Sequence, residues 1–259
     1  MPLLNEASKV YVGSVEADKI YLGSNLIWQK AAPPTGIVDQ ANLYDQWLAI
    51  DASTVGAGQL VSEWPGRVHG IPLSQTMDIR KPIYYSSLGG IPALQFVNKL
   101  MNTPRFMSPA KMTIYAKVNF AAAPSSTQTI ACQDEGGNNR SWHYGVNPTS
   151  KARLVHFING STGISHTLPG AVAVDTWQIL HAVRNVDPAT RAGTFNAGNN
   201  GEMAAGLAIQ DAQLAEYYMS VGGRGGYAEL FYGYIAEVRM YLAAHDTNTS
   251  ALVRAEMGI

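Results

Sequence analysis

The chain is poor in charge, in cysteine and in long apolar runs, and each shortage removes a class of function. Only 14% of its 259 residues are Asp, Glu, Lys or Arg, against about 25% in an average soluble domain. Asn, Gln, Ser, Thr, Gly and Tyr must therefore cover much of the surface. The formal net charge is -1 and no stretch concentrates Lys or Arg, so the sequence carries no electrostatic footprint for a nucleic-acid backbone or an anionic bilayer. Cys132 stands alone, which excludes an internal disulfide framework and a cysteine zinc site and leaves a small buried apolar side chain as its expected role. No run approaches the ~18 apolar residues of a membrane-spanning helix. The start, Met1-Pro2-Leu3-Leu4-Asn5-Glu6, lacks the parts of a secretory signal. Synthesis in a cytosol without membrane insertion is the expectation.

What is present is β texture. Hydrophobic residues make up 46% of the chain, enough for a sizeable core, and one large all-β domain commonly runs to about 200–250 residues. Residues 9–28 hold one phrase twice, Lys9-Val10-Tyr11-Val12-Gly13-Ser14 and Lys19-Ile20-Tyr21-Leu22-Gly23-Ser24. Apolar and polar positions alternate on both sides of Gly-Ser turns, the period-two signal of short half-buried strands. The expected result is a hairpin or small three-stranded piece with Lys9 and Lys19 at equivalent positions of adjacent strands. Two copies are too few for a solenoid, which needs about three. The Pro33-Pro34 pair then marks a linker, since proline weakens both helix and ladder hydrogen bonding.

Beyond it, strand-like runs rich in β-branched and aromatic residues recur between Gly, Asn, Pro and Ser clusters: 112–120, 128–132, 153–158, 177–184, 217–223 and 232–241. Helix is scarce. Val38 to Ile50 could hold a short one, and Asp246 to Met257 opens with capping residues before Leu252, Val253 and Met257, predicting a terminal helix on a sheet edge.

Trp47-Leu48-Ala49-Ile50-Asp51-Ala52-Ser53, Val61-Ser62-Glu63-Trp64-Pro65-Gly66-Arg67, Pro82 and Gly89-Gly90-Ile91-Pro92-Ala93-Leu94-Gln95-Phe96 resemble the opening of concanavalin A-like, laminin-G-like jelly-roll domains. Leu230 to Tyr241 resembles their closing strand, and Thr176-Trp177-Gln178-Ile179-Leu180 the strand before a ligand-side hairpin. The resemblance covers residues 40–259 and implies two packed antiparallel sheets. The N-terminal phrase, ending in Asn25-Leu26-Ile27-Trp28, resembles short segments at the start of tailed-phage virion proteins. Together they resemble a phage fibre, spike or decoration protein: an attachment piece, then a binding module. Fold alone does not give function.

The resemblance implies that β-glucanases of this fold carry Glu-x-Asp-x-Glu, alternate strand positions holding two carboxyls about 5 Å apart. No such triplet exists here, and no Gly-x-Ser-x-Gly. Gly222-Gly223-Arg224-Gly225-Gly226 lies between strands, without the helix N-terminus a phosphate loop needs, and predicts a flexible hairpin. The six histidines show no metal spacing. Gln133 to Tyr144 is the loop with binding chemistry. Sugars need planar polar groups for hydroxyls and an aromatic face for the ring; Asp134, Asn138, Asn139 and Arg140 could supply the first, Trp142 and Tyr144 the second. The alternative is a solvated hairpin whose Trp142 turns into the core. Asp134, Glu135 and Asn138 are hard oxygen donors close together, a candidate calcium set without an EF-hand arrangement.

The expectation is thus an all-β, two-sheet antiparallel jelly-roll sandwich at 38–259, after a β-hairpin segment at 1–30 and a linker at 31–37. Its expected role is that of a non-enzymatic virion protein needing no cofactor other than calcium. The N-terminal segment, through Lys9, Tyr11, Lys19, Tyr21 and Trp28, would contact other virion proteins; the jelly roll would bind a host-surface glycan or a virion subunit. Fibre proteins gain attachment by repeating weak sites, which suggests a homotrimer. Alternatives are a carbohydrate-active hydrolase and a decoration protein without a glycan ligand.

Overall fold

The computed structural model describes residues 37–258 except 138, 159–161, 215, 226 and 227, with only the backbone at Pro169, and the strand backbone at 11–12, 15–16, 19–22 and 25–29. Contacts divide the chain into two compact units, residues 1–40 and 41–259.

In the first unit β1 (Tyr11–Val12) pairs with β2 (Val15–Glu16), and β3 (Lys19–Leu22) with β4 (Asn25–Gln29), both antiparallel. The doubled phrase is therefore not a strand paired with its own copy. Each copy instead contributes a strand that pairs with the segment just after it. Lys9 lies outside the described residues, and for Tyr11, Lys19, Tyr21 and Trp28 only the backbone is described.

The second unit is a two-sheet sandwich. Its strands are β5 (Leu43–Leu48), β6 (Glu63–Trp64), β7 (Leu73–Ser74), β8 (Ile83–Leu88), β9 (Ile91–Val97), β10 (Met101–Met107), β11 (Lys111–Phe120), β12 (Gln128–Asp134) and β13 (Arg140–Val146). Then come β14 (Lys151–Ile158), β15 (Thr162–Ala171), β16 (Gln178–Val186), β17 (Gly193–Asn199), β18 (Glu202–Met203), β19 (Leu207–Ile209), β20 (Glu216–Val221), β21 (Tyr232–Tyr241) and the helix α1 (Thr247–Glu256). One sheet runs β15-β14-β13-β12-β20-β10-β7-β6. The other runs β18-β17-β16-β11-β21-β9-β8, with β19 on β17 and β5 on β21.

Period-two alternation decides what faces inward. Ile114, Ala116 and Val118 of β11, Leu180 and Ala182 of β16, Trp142 and Tyr144 of β13 and Met219 and Val221 of β20 join one core between the sheets. Trp47 and Trp64 pack there too and donate their indole N–H to Ile71 O and Leu48 O, both at 2.8 Å.

Val38–Ile50 is not a helix. After a 3-10 turn at Gln40–Asn42 it becomes β5, pairing with β21 from Leu43↔Tyr241 to Leu48↔Glu237. The strand buries Leu43, Asp45 and Trp47 on one side, a gain in tertiary packing that outweighs local helix propensity. Asp45 gathers the backbone of residues 46–71 around itself: Oδ1 accepts the N–H of Gln46 (2.8 Å), Val68 (2.9 Å) and His69 (3.4 Å), and Oδ2 that of Ile71 (2.8 Å). The Trp64-Pro65-Gly66-Arg67 phrase curls around this carboxylate, and a Cβ on Gly66 would stand 2.1 Å from Asp45 Oδ2.

The terminal helix forms as expected, with the Asp246 carboxylate accepting the Thr249 N–H at 2.7 Å. It covers a sheet face, not an edge. Tyr115 of the central strand β11 donates to Ser250 Oγ (2.9 Å), Lys117 to Met257 O (2.8 Å), and Arg239 pairs with Glu256 (3.0 Å). Polar side chains on β11 and β21 give the helix bonding partners that an edge strand does not.

Candidate functional site: the free face of the eight-stranded sheet

With α1 packed on β11 and β21 of one sheet, the outer face of the other is the candidate surface. Its Cys132, Asp134, His143, Val155, Phe157 and Ser220 are buried, and Arg105, Arg140, Arg153, Tyr218, Arg224 and Glu229 reach solvent. It carries the residues that alternate with the core set: Cys132 and Asp134 of β12, His143 of β13, Arg153, Val155 and Phe157 of β14, Tyr218 and Ser220 of β20 and Arg105 of β10.

The Gly-rich segment after β20 folds onto this face. Gly222 N–H donates to Ile130 O (2.9 Å), Thr129 N–H to Glu229 O (2.7 Å) and Gly225 N–H to Asp134 O (3.1 Å), so the expected hairpin is laid against the sheet. Glycine is required for that approach. Gly222 has φ +85° and a Cβ there would lie 2.0 Å from Phe96, while one on Gly225 would lie 2.8 Å from Asp134 O. The glycines seat Arg224 and Glu229 on the face, and no phosphate loop is formed.

Asp134, wholly buried, takes a bidentate ion pair from Arg140, Nε to Oδ1 at 3.0 Å and Nη2 to Oδ2 at 3.1 Å. Arg140 also lies over the Phe157 ring, 4.0 Å from its centroid. Arg224 stands 3.3 Å from Glu229 and 4.0 Å from Asp134. Glu135 accepts from Arg105 at 2.7 Å. His143 sits at the centre, with Nε2 2.7 Å from Thr129 Oγ1 and Nδ1 3.1 Å from Glu229. A carboxylate only accepts, so Nδ1 carries the proton of the neutral ring and Nε2 accepts from Thr129. Two influences oppose each other here. Glu229 favours the imidazolium, but burial first, and then the charges of Arg153, Arg224 and Arg140, push its pKa down to about 3. The cationic surround and burial win, because a histidine this buried has little water to relieve the repulsion.

The sequence-predicted loop is redistributed. Trp142 and Tyr144 are corrected: both are wholly buried in the core, Trp142 donating its indole N–H to Gln133 Oε1 at 2.9 Å, and neither can offer a ring to a sugar. They lie on the inward side of β13 with Val146, where burying their large apolar area is worth most. Asp134 and Arg140 come together as an ion pair at the base of the β12–β13 turn, and Asn139 lies exposed on that turn, its N–H on Gly136 O at 3.0 Å. Asn138 lies outside the described residues. The calcium set is not gathered as expected: Arg140 and the Gly136 N–H take the Asp134 oxygens and Arg105 takes Glu135. No group of three His, Cys, Asp or Glu among the described residues is arranged to hold a metal ion.

Sequence reasoning missed Arg153, Arg224, Glu229, Tyr218 and Arg105, which come from three strands and a loop. Only the period-two pattern of β14, with Arg153 alternating against Leu154, carried a signal for any of them. A hollow of about 530 Å³ lies elsewhere, against Tyr44, Phe106, Met107, Pro109, Leu214 and Leu242. Its mostly apolar lining gives a sugar few hydroxyl partners, so the charged sheet face is the stronger candidate despite being shallow.

A family model described as the concanavalin A-like lectin/glucanases superfamily matches residues 98–247, more than half of the chain. Among solved structures, domain 4 of AbnA, a GH43 extracellular arabinanase from Geobacillus stearothermophilus in complex with arabinotriose, is 13% identical. That match covers 82% of this chain and 98% of that one, with a TM-score of 0.55. The receptor binding domain of botulinum neurotoxin type G is 9% identical over 83% of this chain and 51% of that one, TM-score 0.58. A Trypanosoma rangeli sialidase is 11% identical over 86% and 34%, TM-score 0.55. At such identities the likeness shows the fold alone. No curated protein sequence matches the chain.

Proposed function

The chain belongs to the concanavalin A-like lectin/glucanase superfamily, and from that premise we propose that its free sheet face binds carbohydrate without hydrolysing it, as a displayed module of a tailed-phage particle. The observation that carries the reading is the asymmetry of the sandwich. One outer face is covered at β11 and β21 by α1, while the other brings part-exposed guanidinium, carboxylate and phenol groups of Arg105, Arg140, Arg153, Arg224, Glu229 and Tyr218 together. Such a rigid, hydrogen-bonding surface suits hydroxyl-rich ligands, since little side-chain freedom is lost on binding. The arabinanase domain of the same architecture was solved with arabinotriose, which agrees with a sugar-binding use of the fold. Asp134, Glu135 and Glu229 are each held by an arginine, an arrangement suited to holding a ligand more than to proton transfer.

The first unit serves as the dock to other virion proteins through Lys9, Tyr11, Lys19, Tyr21 and Trp28, and trimerisation multiplies weak sites into firm attachment. A glycan array combined with a reducing-end assay tests the binding part: retention of glycans without release of reducing ends is expected. Reducing ends released by the parent protein and lost in Glu135→Gln or Glu229→Gln would replace this reading with a hydrolase. For the dock, residues 41–259 alone should bind glycan and fail to join particles that incorporate the full chain. Equal incorporation of both forms removes the virion assignment of the first unit.

A further inference from the structure

On the free face, three arginines from separate parts of the chain meet around His143, and they are not equally matched. Arg140 is satisfied twice by Asp134, and Arg224 by Glu229 with Asp134 beyond it. Among the described residues Arg153 meets only a hydroxyl, its Nε donating to Ser165 Oγ at 2.7 Å. Among the described residues no carboxylate lies within ion-pairing distance of it. Its neighbours across the strands are Gly145 and Thr167, so no bulky side chain stands beside it on either side. His143 is neutral for the reasons given above, and Arg105 and Glu135 cancel. Three guanidiniums therefore face two carboxylates, and the surplus positive charge sits at Arg153.

We propose that the ligand of this face is an acidic glycan, with the carboxylate of one sugar unit seated on the terminal nitrogens of Arg153. This rests on the carbohydrate-binding reading and names its ligand class. A planar guanidinium meets a carboxylate with two parallel N–H···O bonds. Holding Nε on Ser165 fixes the fork before the ligand arrives. The part-exposed Glu229–Arg224 pair supplies an acceptor and donors for flanking hydroxyls, and Arg140, held on the buried Asp134, adds a further donor. A phosphate on a glycan offers the same two oxygens, and the ligand panel separates the two sources.

The test is calorimetric titration of the full chain with four probes: 3′-sialyllactose, lactose, an oligoglucuronate and the same oligoglucuronate after carboxyl reduction, each at low and high salt. A mannose 6-phosphate oligosaccharide is the fifth. The expected result is at least about tenfold tighter binding of an acidic probe than of its neutral counterpart, roughly 1.4 kcal/mol, weakening with salt. Arg153→Gln should bring the acidic probe down to the affinity of its neutral counterpart and remove the salt dependence, and Arg153→Lys should recover part of the preference. Circular dichroism keeps misfolded variants out of the comparison. Neutral and acidic probes binding alike, an undiminished preference in Arg153→Gln, or binding of the phosphorylated probe alone overturns the proposal and leaves the carbohydrate-binding reading standing. Failure of every probe, with an empty glycan array, removes that reading itself.

Discussion

Three buried histidines make the sandwich sensitive to mild acid. His143 and His181 are pushed down to about 3, each by burial first and then by arginine charge, and His156 is lowered for the same reasons. Among the described residues the ring nitrogens of His156 and His181 have no hydrogen-bond partner: His156 packs on Phe195 at 5.1 Å and His181 stacks on Tyr115 at 5.6 Å. In the unfolded chain each titrates near 6.5. Because the folded pKa is the lower one, stability is whole above about pH 6.5 and is lost as the pH falls toward 3, where the folded protein would at last take up the proton. At pH 5 each histidine costs about 2 kcal/mol, so the three together cost roughly 6 kcal/mol. That is comparable with the ~5–15 kcal/mol that holds a domain together. Carboxylates, with ordinary values near 4, stay mostly charged in this window.

Urea unfolding between pH 7.5 and 5.0 measures the effect, followed by the fluorescence of the buried Trp47, Trp64 and Trp142. The midpoint should fall steeply below pH 6.5, and His143→Gln should remove about a third of the slope. A stability at pH 5.0 within about 1 kcal/mol of that at pH 7.5 would refute the assignment of these rings as obligately neutral.

Two further changes probe the frame around the site. Asp45→Ala should destabilise by about 3–5 kcal/mol, since charge-assisted bonds are worth ~1.5–3 kcal/mol each and backbone donors are left facing a void; Asp45→Asn should cost less, keeping the three bonds to Oδ1 but opposing the Ile71 N–H, with urea midpoints ranking the two. Gly225→Ala should lift the 222–231 loop from the sheet, because its Cβ would meet Asp134 O and Glu135 Cα within 2.9 Å. Amide exchange at Thr129 and Gly225 should rise with little change in the core, and a pattern identical to the parent would exclude the close approach.

The strands were legible because one property, alternation, both forms a strand and declares its buried side. The cap at Asp246 made α1 legible in the same way. β5 was not, since Asp45 breaks the apolar alternation of Leu43 and Trp47, and its reason for being buried, four backbone donors from residues 46–71, lies outside any local window. Trp142 and Tyr144 carried ligand chemistry by residue type, but their shared side with Val146 already pointed inward. A low and evenly spread charge suggested no anion site. Folding brings Arg140, Arg153 and Arg224 to one face from positions up to 84 residues apart in number, and no composition count can register that. The helix was expected at an edge because sequence does not tell which polar residues of β11 face it.

The segment that follows β20 separates inheritance of shape from inheritance of surface charge. Its bonds to β12, from Gly222 N–H to Ile130 O, Gly225 N–H to Asp134 O and Thr129 N–H to Glu229 O, are made by main-chain atoms, and neither 224 nor 229 belongs to the core. Substituting Arg224 and Glu229 changes the sign and spacing of the groups beside His143 while every β12 backbone bond persists. The charge beside His143 can thus be rewritten at two codons, with the sandwich kept as a constant chassis.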